Sequence, residues 1–492
     1  MLLLYKRRKI LIYILAGAFG ISSCKKIIDI DAPVTSVNQA NVYNNDATAI
    51  SVLTAIYANM SNGAITGSGF TGTAGLSLLS GLSADELTLY SGVADNELIA
   101  YYRNALVANS TQNYGSELWE GAGSPGLYYY IFICNASIEG LTKSTTLTPS
   151  VRQQLLGEAK FMRAFFYFYL VNCFGDVPLA LTTDPAVNST LPRAPREKIY
   201  QQIVVDLKDA QNLLSSTYLS GNLLNYSNTP ERVRPTKWAA IALLARTYLY
   251  TGDYVDAEEQ STIVINNTAY YSMVSLSNVF LKNSYEAIWQ IQPVRTARNT
   301  EDAFTFILPS TGPSEDANPV YLSPQLLGSF EVGDQRQENG NWINSITVNG
   351  GTYYYPYKYK ATTVSGTVTE YLMMLRLAEQ YLIRAEARAQ QNNISGAQSD
   401  LNAVRIRAGL TATTANDKTS LLAGILHERQ VELFTELGQR WFDLKRTNTI
   451  DAVMGGVTPA KGGGAWVTTD QLYPVPFADI SKNTKLIQNS GY

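Results

Sequence analysis

A chain of 492 residues is longer than one hydrophobic core usually organises, which points to two domains or one elongated repeat array. With 46% hydrophobic and 16% charged residues it lies outside the disordered and coiled-coil classes. The 38 basic and 41 acidic residues give a net charge of −3, but Lys6, Arg7, Arg8 and Lys9 stand ahead of every acid; setting those four aside leaves 34 against 41. Nucleic acid is therefore excluded as a partner, because phosphate binding needs a basic face. The one histidine, His427, all but excludes Ser-His-Asp, Cys-His and His-rich metal chemistry. Tyrosine is over-represented, with 32 Tyr against 15 Phe and 6 Trp, and suits surfaces that are apolar and wet at once.

Residues 1–23 carry a basic start, an apolar run Ile10–Ile21 and small residues before Cys24. A run of about 12 residues is too short to span a bilayer, which takes about 20 as helix. The segment predicts a signal peptide, and Ile21-Ser22-Ser23-Cys24 resembles the bacterial lipobox, with Cys24 as the lipidated residue. A polar, break-rich tether follows over 24–45. The remainder divides into an N-terminal helical region, 46–280, and a C-terminal region, 281–492, with an irregular insertion at 293–370.

Helical spacing begins at 46–61 with Ile50, Leu53, Ile56, Tyr57 and Met60. The Gly/Ser/Thr-rich stretch 61–75 reads as loop. Helical pattern returns at 118–141, and a helix apolar on most sides follows Pro149 and stops at Gly175. Cys134 and Cys173 fall inside these patterns as buried free thiols. Helices are predicted at 196–215 and 236–250. Ile241, Leu244, Ala245, Tyr248, Gly252, Tyr254 and Ala257 have the spacing of a tetratricopeptide helix pair, repeated more weakly by Tyr381, Ala385, Ala397 and Leu401. YEAIWQIQ (285–292) reads as a short buried strand. The insertion is too long for an idle loop and should be ordered and functional. Helices resume at 371–391, 395–408 and about 420–446. The fold class is thus all-α dominated, a helix-pair scaffold with a loop-rich part that carries the ligand site.

Glu428, Glu432 and Glu436 share a helix face and are followed by Arg429, Arg440, Lys445 and Arg446, which reads as structural ion pairing and not as a carboxylate pair across a substrate. Asp85-Glu86 reads as a helix cap or exposed turn. Asp31, Asp46 and the stretch 315–318 lack the spacing of a Ca²⁺ loop, so no metal and no cofactor is expected. No catalytic residue is assigned. Aromatics flanked by amides are the better candidates, because a sugar ring has an apolar face and a hydroxyl edge. Trp119, Trp238, Trp289 and Trp441 fall in core patterns. Trp342 sits among amides in QENGNWINS and is the first choice for ligand binding, joined by Tyr90, Asn96, Tyr101, Tyr102, Arg103 and Tyr353.

Several blocks together resemble the SusD/RagB family: GEAKFMRAFFYFYLVNCFGDVPL (157–179), RPTKWAAIALLARTYLYTGDYVDA (234–257), LMMLRLAEQYLIRAEARA (372–389), LNAVRIRAGL (401–410), ILHERQVELFTELGQRWFDLKRT (425–447) and the terminal LYPVP…LIQNSGY. The resemblance runs from the lipobox to the last residue. It implies an outer-membrane, surface-exposed, lipid-anchored protein that captures a glycan and delivers it to a SusC-like TonB-dependent barrel. It implies binding without catalysis. A peptide-binding member, a surface glycosidase and a pure interaction scaffold are the alternative readings. Lys25 and Lys26 directly follow Cys24, where exported lipoproteins of this kind often carry acids.

Overall fold

A computed structural model describes residues 42–62, 73–112, 114–120, 126–315 and 317–492. The signal peptide, Cys24 and nearly all of the tether lie outside the described residues. Helices of eight residues or more are numbered here, with strands of three or more.

The first part runs α1 (Asp46–Ser61), α2 (Thr73–Ser83), β1 (Leu87–Leu89), α3 (Asn96–Arg103), α4 (Leu127–Lys143), α5 (Pro149–Phe174) and α6 (Arg196–Leu213). Pro149 opens α5 where its missing N–H goes unneeded, and Gly175 closes it at φ +74°. Almost every side chain from Leu155 to Phe174 is buried, so α5 is the central rod. Phe161 and Phe165 meet Trp289 edge-on at 5.1 and 5.4 Å, and Phe166 stacks on Tyr130 at 4.9 Å. Cys134 and Cys173 are buried free thiols, and burial pushes Cys173 up to about 12.

The helix pairs follow as expected. α7 (Lys237–Thr251) turns at left-handed Gly252 into α8 (Tyr254–Ile265), with Ala245 and Ala257 fully buried where the two approach. Downstream, α9 (Leu377–Gln390) and α10 (Ile394–Arg407) enclose Ala385, Ala397 and Leu401 in a core of their own. Arg246 bridges the pairs, holding Glu379 through two bonds of 2.6 Å. α11 (Lys418–Leu433), α12 (Gln439–Arg446) and α13 (Ile450–Ala460) complete the helical part.

Between the pairs the chain forms β2 (Ala287–Ile291), β3 (Val320–Leu322), the hairpin β4–β5 (Ile343–Val348 and Gly351–Pro356) and β6 (Leu372–Arg376). β3 pairs antiparallel with β1, and β2 with β6. The insertion is therefore ordered around a two-stranded hairpin and short helices. Two boundaries differ from expectation. The apolar run Leu372–Leu375 is a strand and not the first turn of α9, because β2 offers it an edge. The predicted helix 420–446 breaks between α11 and α12, where Thr435, Leu437 and Gly438 are left-handed. At Gly438 a Cβ would lie 2.7 Å from the Ser80 hydroxyl, so the break is where α2 comes closest.

Asp85 and Glu86 are not an exposed turn: both are buried, and Asp85 accepts two bonds of 2.8 and 2.7 Å from Arg440. The carboxylates of α11 are structural. Arg336 bonds Glu428 at 2.6 Å, Glu432 at 2.7 Å and Asp334 at 2.8 Å. Arg376 bonds Glu432 at 2.6 Å and Glu436 at 2.7 Å, Arg407 reaches Glu286 at 2.7 Å and also Glu432, and Lys358 holds Glu436 at 2.6 Å. Burial opposes ionisation of Glu432, but Arg407, Arg376 and Arg336 outweigh it and hold the carboxyl far below the usual range. Glu432→Ala takes one carboxylate partner from each of three buried guanidiniums, leaving the knot with excess positive charge, and is expected to cost about 3–5 kcal/mol, read as a drop in the urea midpoint; a loss below about 1 kcal/mol would show that water can replace the carboxylate.

Candidate functional site

β1 and β3 pair with Thr88 opposite Tyr321 and Leu89 opposite Val320, and the Tyr90 N–H continues the ladder to the Pro319 carbonyl at 2.7 Å. Successive side chains alternate. Leu87, Leu89, Val320 and Leu322 therefore face the core, all nearly inaccessible, while Thr88, Tyr90 and Tyr321 face outward and are half-buried. Tyr102, in the last turn of α3, lies against this face with its hydroxyl beside Thr88. Tyr353 of β5 meets Tyr321 edge-to-face at 5.1 Å. Four tyrosines from three separate stretches, residues 90–102, 321 and 353, thus share one face around a threonine hydroxyl.

The face is braced from beneath. The Tyr90 ring lies over Gly92, where a Cβ would come within 2.5 Å of it. Gly463 lets the loop after α13 sit on the end of α3: a Cβ there would be 2.0 Å from the Arg103 carbonyl. Lys461, at the start of that loop, is buried, donates to the carbonyls of Leu82 (2.7 Å) and Ala84, and lies 5.1 Å from the centre of the Tyr102 ring. Burial drives its amine down to about 7, with Asp85 and Glu86 pulling the other way. The phenols of Tyr102 and Tyr321 are raised by burial, so they remain protonated donors at neutral pH.

Two expected site residues are corrected. Trp342 is fully buried: its indole N–H donates to the Leu276 carbonyl at 3.0 Å, Phe280 packs edge-on at 5.4 Å, and Lys358, Arg407 and Arg376 gather at 4.9, 5.2 and 5.8 Å from its ring. It is a core residue roofing the ion-pair network and no platform. Tyr101 is likewise buried, edge-on to Tyr473 at 5.1 Å, because it occupies the inward face of α3 while Tyr102 takes the outward one. Tyr90, Tyr102 and Tyr353 are brought together. Arg103 is exposed beside the Gly462–Gly464 loop, and exposed Asn96 opens α3, about 9 Å along the axis from Tyr102. Tyr321 was missed; the signal was the apolar-polar-apolar triplet Val320-Tyr321-Leu322 between prolines. Trp466 is half-buried, its N–H on the Asp451 carboxylate at 2.8 Å. Asp46 accepts from the Thr148 N–H at 3.0 Å and Glu315 from the Ala94 N–H at 2.8 Å, while Asp31 and Asp316 lie outside the described residues. Among the described residues no three His, Cys, Asp or Glu side chains come together as a metal site, and no helix is long and apolar enough to cross a membrane.

The fold and this face define a helical-repeat protein that displays a tyrosine surface where its N-terminal region meets the irregular insertion. Residues 329–492 match the family described as "SusD family" and residues 89–249 the one described as "Starch-binding associating with outer membrane". Two SusD-type families thus match separate thirds of the chain, and the description of the second includes association with the outer membrane. Relatives include SusD-like protein P2 of Formosa agariphila, 27% identical over 68% of this chain and 73% of that protein, and SusD-like protein P25 of the same organism, 22% identical over 99% and 100%. Among solved structures, a SusD superfamily protein of Parabacteroides distasonis superposes with a TM-score of 0.74 at 23% identity, covering 91% of this chain and 99% of that one. A laminarin binding SusD-like protein gives 0.68 at 23% identity over 92% and 100%, and surface glycan-binding protein A of Bacteroides uniformis 0.72 at 18% over 90% and 99%. These structures carry the fold.

The Lys461 amine holds fewer protons in the folded chain than in the unfolded one between about pH 7 and 10.5, so its contribution to stability rises with pH across that window. The stability difference between wild type and Lys461→Met is expected to shift in favour of wild type as pH is raised from 7 to 10 in urea titrations. A pH-independent difference would place the amine in water instead.

Proposed function

We propose that this protein is a cell-surface, lipid-anchored binding protein that captures a glycan and passes it to a SusC-like TonB-dependent barrel. The observation that carries the reading is the outward face of Tyr90, Tyr102, Tyr321 and Tyr353 around Thr88. Tyrosine rings stack on the apolar faces of sugar rings, and their hydroxyls, with the Thr88 hydroxyl and the Arg103 guanidinium, address the hydroxyl edges. The rings are half-buried, so a ligand meets surfaces already fixed in orientation and orders few side chains on binding. The face is shallow, which suits the side of a polymer better than a free monosaccharide. Names of structural neighbours, "laminarin binding" and "surface glycan-binding", support the ligand class. Binding is by stacking and hydrogen bonds, with no covalent step.

Affinity electrophoresis in gels containing laminarin, starch or other neutral polysaccharides tests the assignment. Tyr102→Ala and Tyr321→Ala are each expected to weaken retardation about tenfold, while Trp342→Phe leaves it unchanged. Retardation by no glycan together with tight binding of unfolded peptide would sink the reading, and release of reducing sugar by the pure protein would overturn the absence of catalysis. Trp342→Ala is expected to destabilise the fold by about 3–5 kcal/mol in thermal or urea denaturation, as for any buried Trp.

The anchor has a separate test. Cys24→Ala is expected to move the protein from the membrane pellet to the soluble fraction, since acyl chains contribute about 0.8 kcal/mol per buried CH₂. A variant that stays in the pellet through high-salt washing would show another mode of attachment.

A further inference from the structure

Arg103 stands at the edge of the tyrosine face, one position after Tyr102 in the last turn of α3. Every other arginine side chain among the described residues donates to a carboxylate, an amide or a carbonyl, or lies on a tyrosine ring. Arg103 is exposed, and among the described residues its guanidinium has neither a hydrogen bond nor an ion pair. The carbonyl end of α3 favours a cation here without consuming its donors, because the Asn104 and Ala105 N–H groups already take the Tyr101 and Ala100 carbonyls at 3.3 and 2.9 Å. The side chain is also left uncovered by its neighbours. Its Nε lies 3.8 Å from where a Cβ of Gly462 would stand, and Gly462, Gly463 and Gly464 carry no side chain to screen it. The donor fork is thus free for a ligand.

The face around it holds no competing negative charge. Burial raises the Tyr102 phenol, while Thr88 and the Arg103 charge pull it back; the Tyr321 phenol is raised by burial with only Tyr102 and Tyr353 beside it. Among the described residues no carboxylate acts on either ring. Two flanking acids are committed to backbone. Asp95 caps α3 through the Glu97 and Leu98 N–H groups at 2.8 and 3.1 Å, and Glu315 accepts from the Ala94 N–H at 2.8 Å. Lys461, beneath the Tyr102 ring, is buried and spent on the Leu82 and Ala84 carbonyls. In a chain with 41 acids against 38 bases, a face whose accessible charge is an unpaired guanidinium is suited to an anion. One cation among rings is not the continuous basic face that nucleic acid requires. It fits a single oxyanion carried on a sugar ring, and both carboxylate and sulfate match the planar fork.

We infer that the glycan taken by the tyrosine face is acidic, its rings bearing a carboxylate or sulfate that pairs with Arg103. The inference rests on the function proposed above and narrows its substrate class. Isothermal titration calorimetry of the full mature chain compares oligosaccharides of alginate and polygalacturonate, which carry carboxylates, and of carrageenan, which carries sulfates, with neutral laminarihexaose and maltohexaose. Polyglutamate serves as an anion without sugar rings. At least one acidic oligosaccharide is expected to bind about tenfold tighter than either neutral one, and polyglutamate not at all. Which acidic ligand binds names the substituent. Arg103→Gln is expected to cost roughly tenfold against that ligand and no more than about threefold against a neutral one, because glutamine still donates to a hydroxyl. Raising salt from about 50 to about 300 mM should weaken the wild type and leave the variant nearly unchanged.

Neutral oligosaccharides that bind as tightly as every acidic one, or equal losses for both classes in Arg103→Gln, would overturn the inference and leave the face standing as a glycan site. Polyglutamate bound as well as an acidic glycan would overturn it too, since charge alone would then suffice. Loss of binding to every sugar, or acidic binding undiminished in Tyr102→Ala and Tyr321→Ala, would instead overturn the reading of the face itself.

Discussion

Glu432 accepts from guanidiniums carried by three different elements: Arg336 from the turn before β4, Arg376 from the end of β6, and Arg407 from the end of α10. Lys358, from the segment after β5, donates to the carbonyls of Glu432 and Phe434 and to the Glu436 carboxylate. Buried charge is tolerable only when it is paired and geometrically satisfied, so this knot constrains the irregular insertion to one position on the helical scaffold. Trp342 closes it on one side with its ring, adding cation–π attraction to the ion pairs. The hairpin that carries Tyr353 begins one residue after Trp342. The orientation of the Tyr353 edge of the tyrosine face is therefore set by electrostatics several residues away from it.

The same feature explains what could and could not be read from the chain. Apolar periodicity located α5, both helix pairs and the strand around Trp289, because a helix or strand buries its own repeating face locally. The carboxylates of α11 were legible as ion-pair partners from their spacing and the following basic residues. Trp342 was misread for a physical reason: its neighbours in sequence are amides, while its neighbours in space, Leu276, Phe280, Lys358, Arg376 and Arg407, come from four other stretches. Tyr101 and Tyr102 are adjacent and chemically identical, and only the placement of α3 on β1 decides which is core. Leu372–Leu375 shows the converse. Its residues suit either element, and the edge offered by β2 made it a strand.

Tyrosine was conspicuous in the composition, yet most of its uses here are structural. Tyr57 donates to the buried Glu158 carboxylate at 2.8 Å, Tyr169 accepts from Arg246 at 3.1 Å, and Tyr473 stacks on Trp441. A phenol suits such places because it fills an apolar volume and still serves a buried ion. The face at Thr88 uses the same residue with the polarity reversed, rings outward and backbone in the core. One side chain thus serves both the interior ion pairs and the exposed surface, which is why the count alone could not locate a site.

The pairing of β1 with β3 has a consequence for how the protein comes into being. The Ser323 hydroxyl donates to the Asp85 carbonyl, 238 residues earlier, and the face at Thr88 is assembled across this same junction. A growing chain that has not yet delivered the second strand presents Thr88 and Tyr90 on an unpaired edge with no partner surface. The tyrosine face is thereby incomplete until the insertion has docked, because two of its four rings arrive with the later strands.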